Sequence, residues 1–277
     1  MKRLERAQRF LYTTRTGRRC LKALTSPSVS EVAGKLFDSK WSTCAIPLFI
    51  KLNKVDLCEC AQEQYCSMND FFSRRLKDGA RTFPLDGKLL GSPADGKISV
   101  FGIRAGSSFF VKQTHYTVDR LLGGDGAFSE RFVNGVCVVV RLEPKHYHRY
   151  CYIDNAEQIT SWSVEGLYHT VHPSVHMHSS AFAENAREIS ILQTEHFGLV
   201  AQVEVGAMLV GRIVNGQRGA CTVYRGHEKG YFEFGGSTIV LFFQDGVVDI
   251  EQVIWEATAR GMEIPVRQGQ IIGKSLT

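Results

Sequence analysis

The chain lacks any uninterrupted apolar run of the roughly 18 residues that a membrane-spanning helix needs. Its stretch from Ala45 to Leu52 is apolar but too short, and Lys51 interrupts it. A cleaved signal peptide is not expected either. The N-terminus has the positive charges, but not the compact apolar segment and small-residue cleavage site that should follow. No CxxC pair occurs. The eight cysteines (Cys20, Cys44, Cys58, Cys60, Cys66, Cys137, Cys151 and Cys221) match no disulfide-rich scaffold, so reduced thiols are expected. Cys58, Cys60 and Cys66 crowd together without the spacing that structural zinc sites use. Internal repeats and low-complexity tracts are absent, so nothing marks a repeat array.

What is present fits a chain of 277 residues, 44% of them hydrophobic: one large domain, or one domain with a small appendage, around a real core. The net charge of +5 is unevenly placed. Residues 1–24 hold eight basic side chains against Glu5 alone, a net +7, and the remainder therefore sums to −2. A basic tail on a nearly neutral body implies a polyanionic surface as partner. Nucleic-acid binding would spread basic and aromatic residues across the domain, and here the cations concentrate at one end.

Residues 3–24 read as a helix, with Leu4, Ala7 and Leu11 on one side and Arg6 and Arg9 on the other. Thr25-Ser26-Pro27-Ser28 breaks it. A second helix is expected from Ser30 to Ser39, and a third from an N-cap at Asn69 through Phe71, Phe72 and Leu76 to Gly79. Beyond Gly79, short β-rich runs alternate with glycine turns: Lys97–Ile103, Phe109–Lys112, Val136–Leu142, Glu188–Thr194, Leu199–Val205, Thr222–Arg225 and Thr238–Phe243. The expected fold class is α+β: a helical, basic segment (1–66), then a mainly antiparallel β catalytic domain (67–277).

Four stretches can carry chemistry. Phe234-Gly235-Gly236-Ser237-Thr238 leads into the apolar run Ile239–Phe243, which is either a plain glycine turn or a peptide bond primed for attack by Ser237. In Ser92-Pro93-Ala94-Asp95-Gly96-Lys97, Asp95 caps a turn or orients a histidine base. In Lys145-His146-Tyr147-His148-Arg149, the two histidines would share one face of a strand, and Arg149 is suited to a phosphate or carboxylate. His169, His172, His176 and His178 cluster. No carboxylate sits at zincin spacing there and Pro173 disturbs a helix, so no metal is expected.

Pro-Ala-Asp-Gly, Tyr-His-Arg about fifty residues later and a late Gly-Ser-Thr together resemble the pattern of phosphatidylserine decarboxylases. Asn69–Lys77 resembles that family's entry helix, and Glu195–Gly198, Gln202–Ala207 and Val210-Gly211 its central strands. The resemblance spans residues 67–277. It implies self-cleavage between Gly236 and Ser237, giving a large β chain and a small α chain, with Ser237 becoming a pyruvoyl cofactor. It further implies decarboxylation of phosphatidylserine to phosphatidylethanolamine through a Schiff base to that group. Asp95, His148, His169 and Ser237 are then the catalytic residues, and His146 and Arg149 bind substrate. The partners are the lipid and an anionic membrane surface, with the enzyme peripheral on its cytoplasmic face. The oligomeric state stays open, a homo-oligomer included.

One departure from the family pattern matters. Many members carry a further histidine three positions after that of Tyr-His-Arg, and here Cys151 stands there. The processing base is therefore His148 or His169, because an ordinary thiol is mostly protonated at neutral pH. Two other readings compete: a pyruvoyl enzyme for a soluble amino acid, against which the basic N-terminus argues, and a lipoyl- or biotin-carrier-like module. The segment Val266–Gly273 resembles a carrier strand, but no lysine sits on a tight hairpin as a carrier requires.

Overall fold

The structure, a computed structural model, describes residues 27–104, 108–111, 114–124, 126–166, 184–206, 212–235 and 237–277. The basic segment 1–24, the histidines at 169, 172, 176 and 178, and Gly236 lie outside the described residues.

The described residues begin with α1 (Pro27–Asp38), a 3-10 turn (Lys40–Ala45), α2 (Ile46–Asn53) and α3 (Met68–Phe72). The chain continues through β1 (Leu89–Gly91), β2 (Gly96–Gly102), β3 (Ser108–Val111), β4 (Thr114–Thr117), α4 (Val118–Leu122) and α5 (Gly126–Ser129). Next come β5 (Val136–Leu142), β6 (Arg149–Cys151), β7 (Ala156–Val164), β8 (Arg187–Thr194) and β9 (Leu199–Gly206). The last part holds β10 (Ile213–Asn215), β11 (Cys221–Val223), β12 (Glu228–Phe232), β13 (Ser237–Phe243), β14 (Val248–Ile250), α6 (Gln252–Ala259), β15 (Ile264–Val266) and β16 (Ile271–Ser275). No described helix is long and apolar enough to cross a membrane.

An antiparallel sheet in the order β11-β7-β8-β9-β13-β5-β2-β15 forms the centre, which bears out the α+β expectation. β13 reads Ser-Thr-Ile-Val-Leu-Phe-Phe and every residue of it is buried, the signature of a strand covered on both faces. Ile239, Leu241 and Phe243 face one core with Val138, Val140 and Leu142 of β5. Small sheets β10-β12-β6 and β1-β16-β14 supply Tyr150, Phe232, Ile250 and Ile272 to that core. Val240 and Phe242 face a second core, closed by Tyr116, Leu121 and Phe132.

The helices form a third layer over one end of the sheet. Ile46, Phe49, Met68 and Phe71 pack with Phe234, which belongs to the turn before β13. The helix expected from an N-cap at Asn69 to Gly79 has its N-cap two residues earlier and ends at Phe72. Ser67 is its N-cap: Ser67 Oγ accepts from Asp70 N (3.1 Å), and Asp70 Oδ2 accepts from Cys66 N (2.8 Å). Beyond its C-cap Ser73 the chain is extended, and Leu76 bridges to Cys60.

Removing three carbons from the middle of β13 tests how fully the layers rely on it. In a Ser237→Ala background, Leu241→Ala should lower the unfolding free energy by about 2–5 kcal/mol in urea titration.

Candidate active site

Ser237 opens β13. Its backbone is fixed on both sides, paired with Leu142 of β5 and Gly206 of β9. Its side chain is fully buried, and Oγ has no hydrogen-bond partner among the described residues. The chain reaches it through a constrained turn. Phe234 N donates to Asn69 Oδ1 (3.0 Å), and the Phe234 ring sits against Phe37 (4.3 Å), Phe72 (5.1 Å) and Phe49 (5.6 Å). Gly235 then takes φ 145°, a conformation that side chains disfavour.

His148 lies beside this turn. Its carbonyl accepts from Phe232 N (3.0 Å), and its ring is 3.9 Å from that of Phe72, which also contacts Phe234. His148 Nδ1 is 2.9 Å from the carbonyl of His146, so Nδ1 carries the proton. Nε2 is left with its lone pair free, buried without a partner among the described residues. Burial drives the pKa of His148 well below the usual histidine value, with the Arg74 cation adding to the effect. The result is a neutral imidazole with a committed tautomer, the state that a base requires.

His146 is its opposite. Its Nδ1 accepts from Glu143 N (2.9 Å), so the tautomer is reversed, and burial lowers its pKa to about 4. The two histidines do not share a strand face as expected. Residues 143–148 form a turn ahead of β6, and Pro144 cannot continue the β5 ladder.

Asp95 holds neither histidine by a hydrogen bond. Arg81 grips both its oxygens, Nε to Oδ1 and Nη2 to Oδ2 at 2.7 Å each, and Gln268 N donates to Oδ1 (2.8 Å). Its charge still reaches His146, where it opposes the effect of burial. Arg149 is similarly engaged: Nη1 pairs with Glu228 (2.7 Å), Nε donates to Ser73 O (2.8 Å), and the guanidinium lies over the Tyr231 ring. Cys151 is fully buried, 3.4 Å from Pro93 O, and burial pushes its thiol far up, so it stays protonated. A cavity of about 430 Å³ is lined by Arg74, Arg81, Asp95, His146, Tyr147 and Arg267 among others, while Ser237 and His148 do not line it.

Besides Arg81, two residues beside the histidines were not among the sequence candidates. Phe72 packs its ring against that of His148, tilted by 36°, and Arg74, buried, donates from Nη2 to the carbonyls of Lys145 and His146 (3.1 Å each). Both lie in the Asn69–Lys77 stretch, which was singled out only as an entry helix.

A family model described as phosphatidylserine decarboxylase matches residues 68–274. The chain belongs to the phosphatidylserine decarboxylase family. It is 38% identical over 268 residues to phosphatidylserine decarboxylase proenzyme 2 of Clostridium acetobutylicum, covering 96% of this chain and 91% of that one. It is 35% identical over 274 residues to a phosphatidylserine decarboxylase proenzyme of Fusobacterium nucleatum, covering 97% and 91% of the two chains. A third, the proenzyme of Clostridium tetani, is 38% identical over 249 residues, with 88% of this chain and 84% of the relative covered.

The Asp95 clamp has a measurable consequence. Asp95→Ala strips the Arg81 fork of its main acceptor, and Glu59 retains only one nitrogen. In a Ser237→Ala background it should lower the unfolding free energy by about 1–3 kcal/mol, read by denaturant titration.

Proposed function

We propose that the chain cuts itself between Gly236 and Ser237 and, once cut, decarboxylates phosphatidylserine to phosphatidylethanolamine. The observation that carries this reading is the buried Ser237 Oγ, without a partner among the described residues, at the head of a fixed strand, with a neutral histidine beside the same turn. The names of the relatives, phosphatidylserine decarboxylase proenzymes, agree with it.

The cut is an acyl shift. His148 Nε2 takes the Ser237 hydroxyl proton as Oγ bonds to the Gly236 carbonyl carbon; the C–N bond breaks, and the proton ends on the freed amine. Loss of the Ser237 α proton then expels the Gly236 carboxylate and leaves dehydroalanine. Water converts this to a ketone and ammonia. Ser237 fits that group: it becomes a chain terminus at the mouth of β13, anchored by two ladders. When present, the pyruvoyl ketone supplies an electron sink for loss of CO₂ from an amino acid. The protein's part is to exclude water, through Phe72 and Phe234, and to keep a neutral imidazole at hand.

The lipid substrate agrees with the outer surface of the helical layer. Trp41 is 88% exposed, Leu52 71%, Val32 67%, Leu36 62% and Leu48 59%. Exposed Lys40, Lys51 and Lys54 lie among them. Apolar side chains with a cationic rim match an anionic bilayer, and exposed tryptophan favours the headgroup level. The +7 segment directly precedes them in the chain. The enzyme is on this reading peripheral, resting on lipid through residues 1–57.

Intact mass of the purified wild-type chain should reveal two pieces, 1–236 and 237–277, the smaller one blocked to N-terminal sequencing. Ser237→Ala should stay whole, and two pieces from it would sink the assignment. His148→Ala should slow the cut by about 10²–10⁴-fold. His169→Ala, by contrast, should leave it near the wild-type rate. Because burial depresses the His148 pKa, its base form persists below the ordinary value of 6.5, so the rate should not halve there as pH falls.

A second experiment addresses the surface. Trp41→Ser/Leu52→Gln should still cut itself but sediment less with vesicles containing anionic lipid, and salt should weaken wild-type binding. Equal sedimentation would refute the lipid surface, and a wild-type dimer that the variant loses would make the patch an interface between copies.

A further inference from the structure

A buried ion pair elsewhere in the molecule is not used by the chemistry above. Glu204 in β9 and Lys229 in β12 meet at 2.7 Å with side-chain exposures of 0% and 1%. Among the described residues it is the one ion pair that joins the strands of the small sheet β10-β12-β6 to those of the large sheet. Glu204 Oε2 also accepts from Asn215 Nδ2 (3.2 Å), and Asn215 Oδ1 accepts from the Tyr150 hydroxyl (2.9 Å). The whole small sheet is thus tied to one carboxylate of β9.

Its placement relates it to Ser237. β9 pairs Gly206 with Ser237 and Glu204 with Ile239, so Glu204 projects from the same face of the sheet as Ser237. On the other side, β12 ends at Phe232, and only four residues, Glu233–Gly236, carry the chain from the small sheet to β13 in the large one. Packed sheets stand about 10 Å apart. The bond between Gly236 and Ser237 therefore closes a short span between two layers, and Glu204–Lys229 fixes how far apart those layers sit.

Local structure is shaped to make this contact. The register of β12 against β6 slips between Glu228 and Gly230, and Lys229 is the residue at the slip. Such bulges turn a side chain toward a new direction. Here it points inward, while Glu228 before it is exposed. Gly230 then leaves room for the network, since a Cβ there would stand 2.6 Å from Asn215 Oδ1 and 2.8 Å from the Tyr150 hydroxyl. The pair is also a poor choice for stability alone. Glu204 Oε1 is buried without a partner among the described residues, and apolar residues of similar volume serve as well or better in such places.

We infer that Glu204 and Lys229 are positioning residues for self-cleavage: a brace that holds the two sheets at the separation the four-residue link from Phe232 to Ser237 must span, and so loads that link toward the acyl shift. The inference rests on the self-processing reading above. The brace acts before the cut. Once the bond is broken the turn no longer spans the gap, and the brace has no further part in turnover.

The test is the double variant Glu204→Gln/Lys229→Met, which keeps volume and removes both charges. In a Ser237→Ala background it should unfold at the wild-type temperature or above. With Ser237 present, the two chains should appear at least tenfold more slowly than in wild type, and the ester trapped by hydroxylamine should fall in parallel. The portion that does cut should release CO₂ at the wild-type rate per mole of ketone, counted with phenylhydrazine. Cutting at the wild-type rate overturns the brace, and so does a loss of turnover per ketone that matches the loss of cutting. Should the double variant fail to fold, Glu204→Asp keeps the charges but shortens the brace by one methylene. It should then fold and cut slowly, and wild-type cutting from it would overturn the inference. Wild-type protein that never divides would refute self-processing itself, and the brace with it.

Discussion

Everything at this site depends on β13 being held by its neighbours rather than by the chain that leads into it. Residues 237–243 are paired along their whole length with both β5 and β9, and both faces are buried. The bond that precedes Ser237 adds little to that hold. Breaking it would leave the strand where it is and deliver a new chain end at a fixed point. Residues 237–277 would also stay attached elsewhere, because β15 pairs with β2 and β16 pairs with β1. The proposed cut would need such redundancy, and an antiparallel sheet provides it where a β-hairpin edge would not.

On the proposed self-cleavage, the readiness of His148 to act as a base would come from desolvation rather than from a charge relay. A charged imidazole at position 148 would be buried near the Arg74 guanidinium, so the neutral form wins. The His146 carbonyl then decides which nitrogen keeps the proton. That lock is what a carboxylate usually supplies in a triad. Here a main-chain oxygen supplies it, and Asp95 is free to bind Arg81 and Gln268 N, which ties the start of β2 to the segment after β15. Cys151, by contrast, packs buried and protonated against Pro93.

The sequence made the large sheet legible wherever the strands are rich in β-branched residues and buried on both sides, as in β5, β8, β9 and β13. β7 escaped notice because its nine residues, Ala-Glu-Gln-Ile-Thr-Ser-Trp-Ser-Val, are half polar and alternate between buried and exposed only at one end. Ser237, Asp95 and His148 were readable as motif members. Their partners were not, since Arg81 meets Asp95, and Phe72 meets His148, only through the fold. The idea of His146 and His148 on one strand face failed on a local detail, the turn at 143–148, that converts two like residues into opposite tautomers.

The polar atoms left without partners show where the fold gives up stability. Among buried side chains of the described residues they include Ser237 Oγ, Thr238 Oγ1, His148 Nε2, Gln202 Oε1, Glu204 Oε1 and two nitrogens of Arg74, with Arg225 the case away from this region. Ser237, Gln202 and Glu204 project from one face of adjacent strands, His148 lies beside the turn that feeds them, and Arg74 lies near His148. Each such atom costs about 1–3 kcal/mol when buried unpaired. A chain selected for stability alone would have filled these positions with apolar groups, as it has along the rest of β13. Their concentration around one peptide bond means that the cost is local, and that the sheet on either side of it is what carries it.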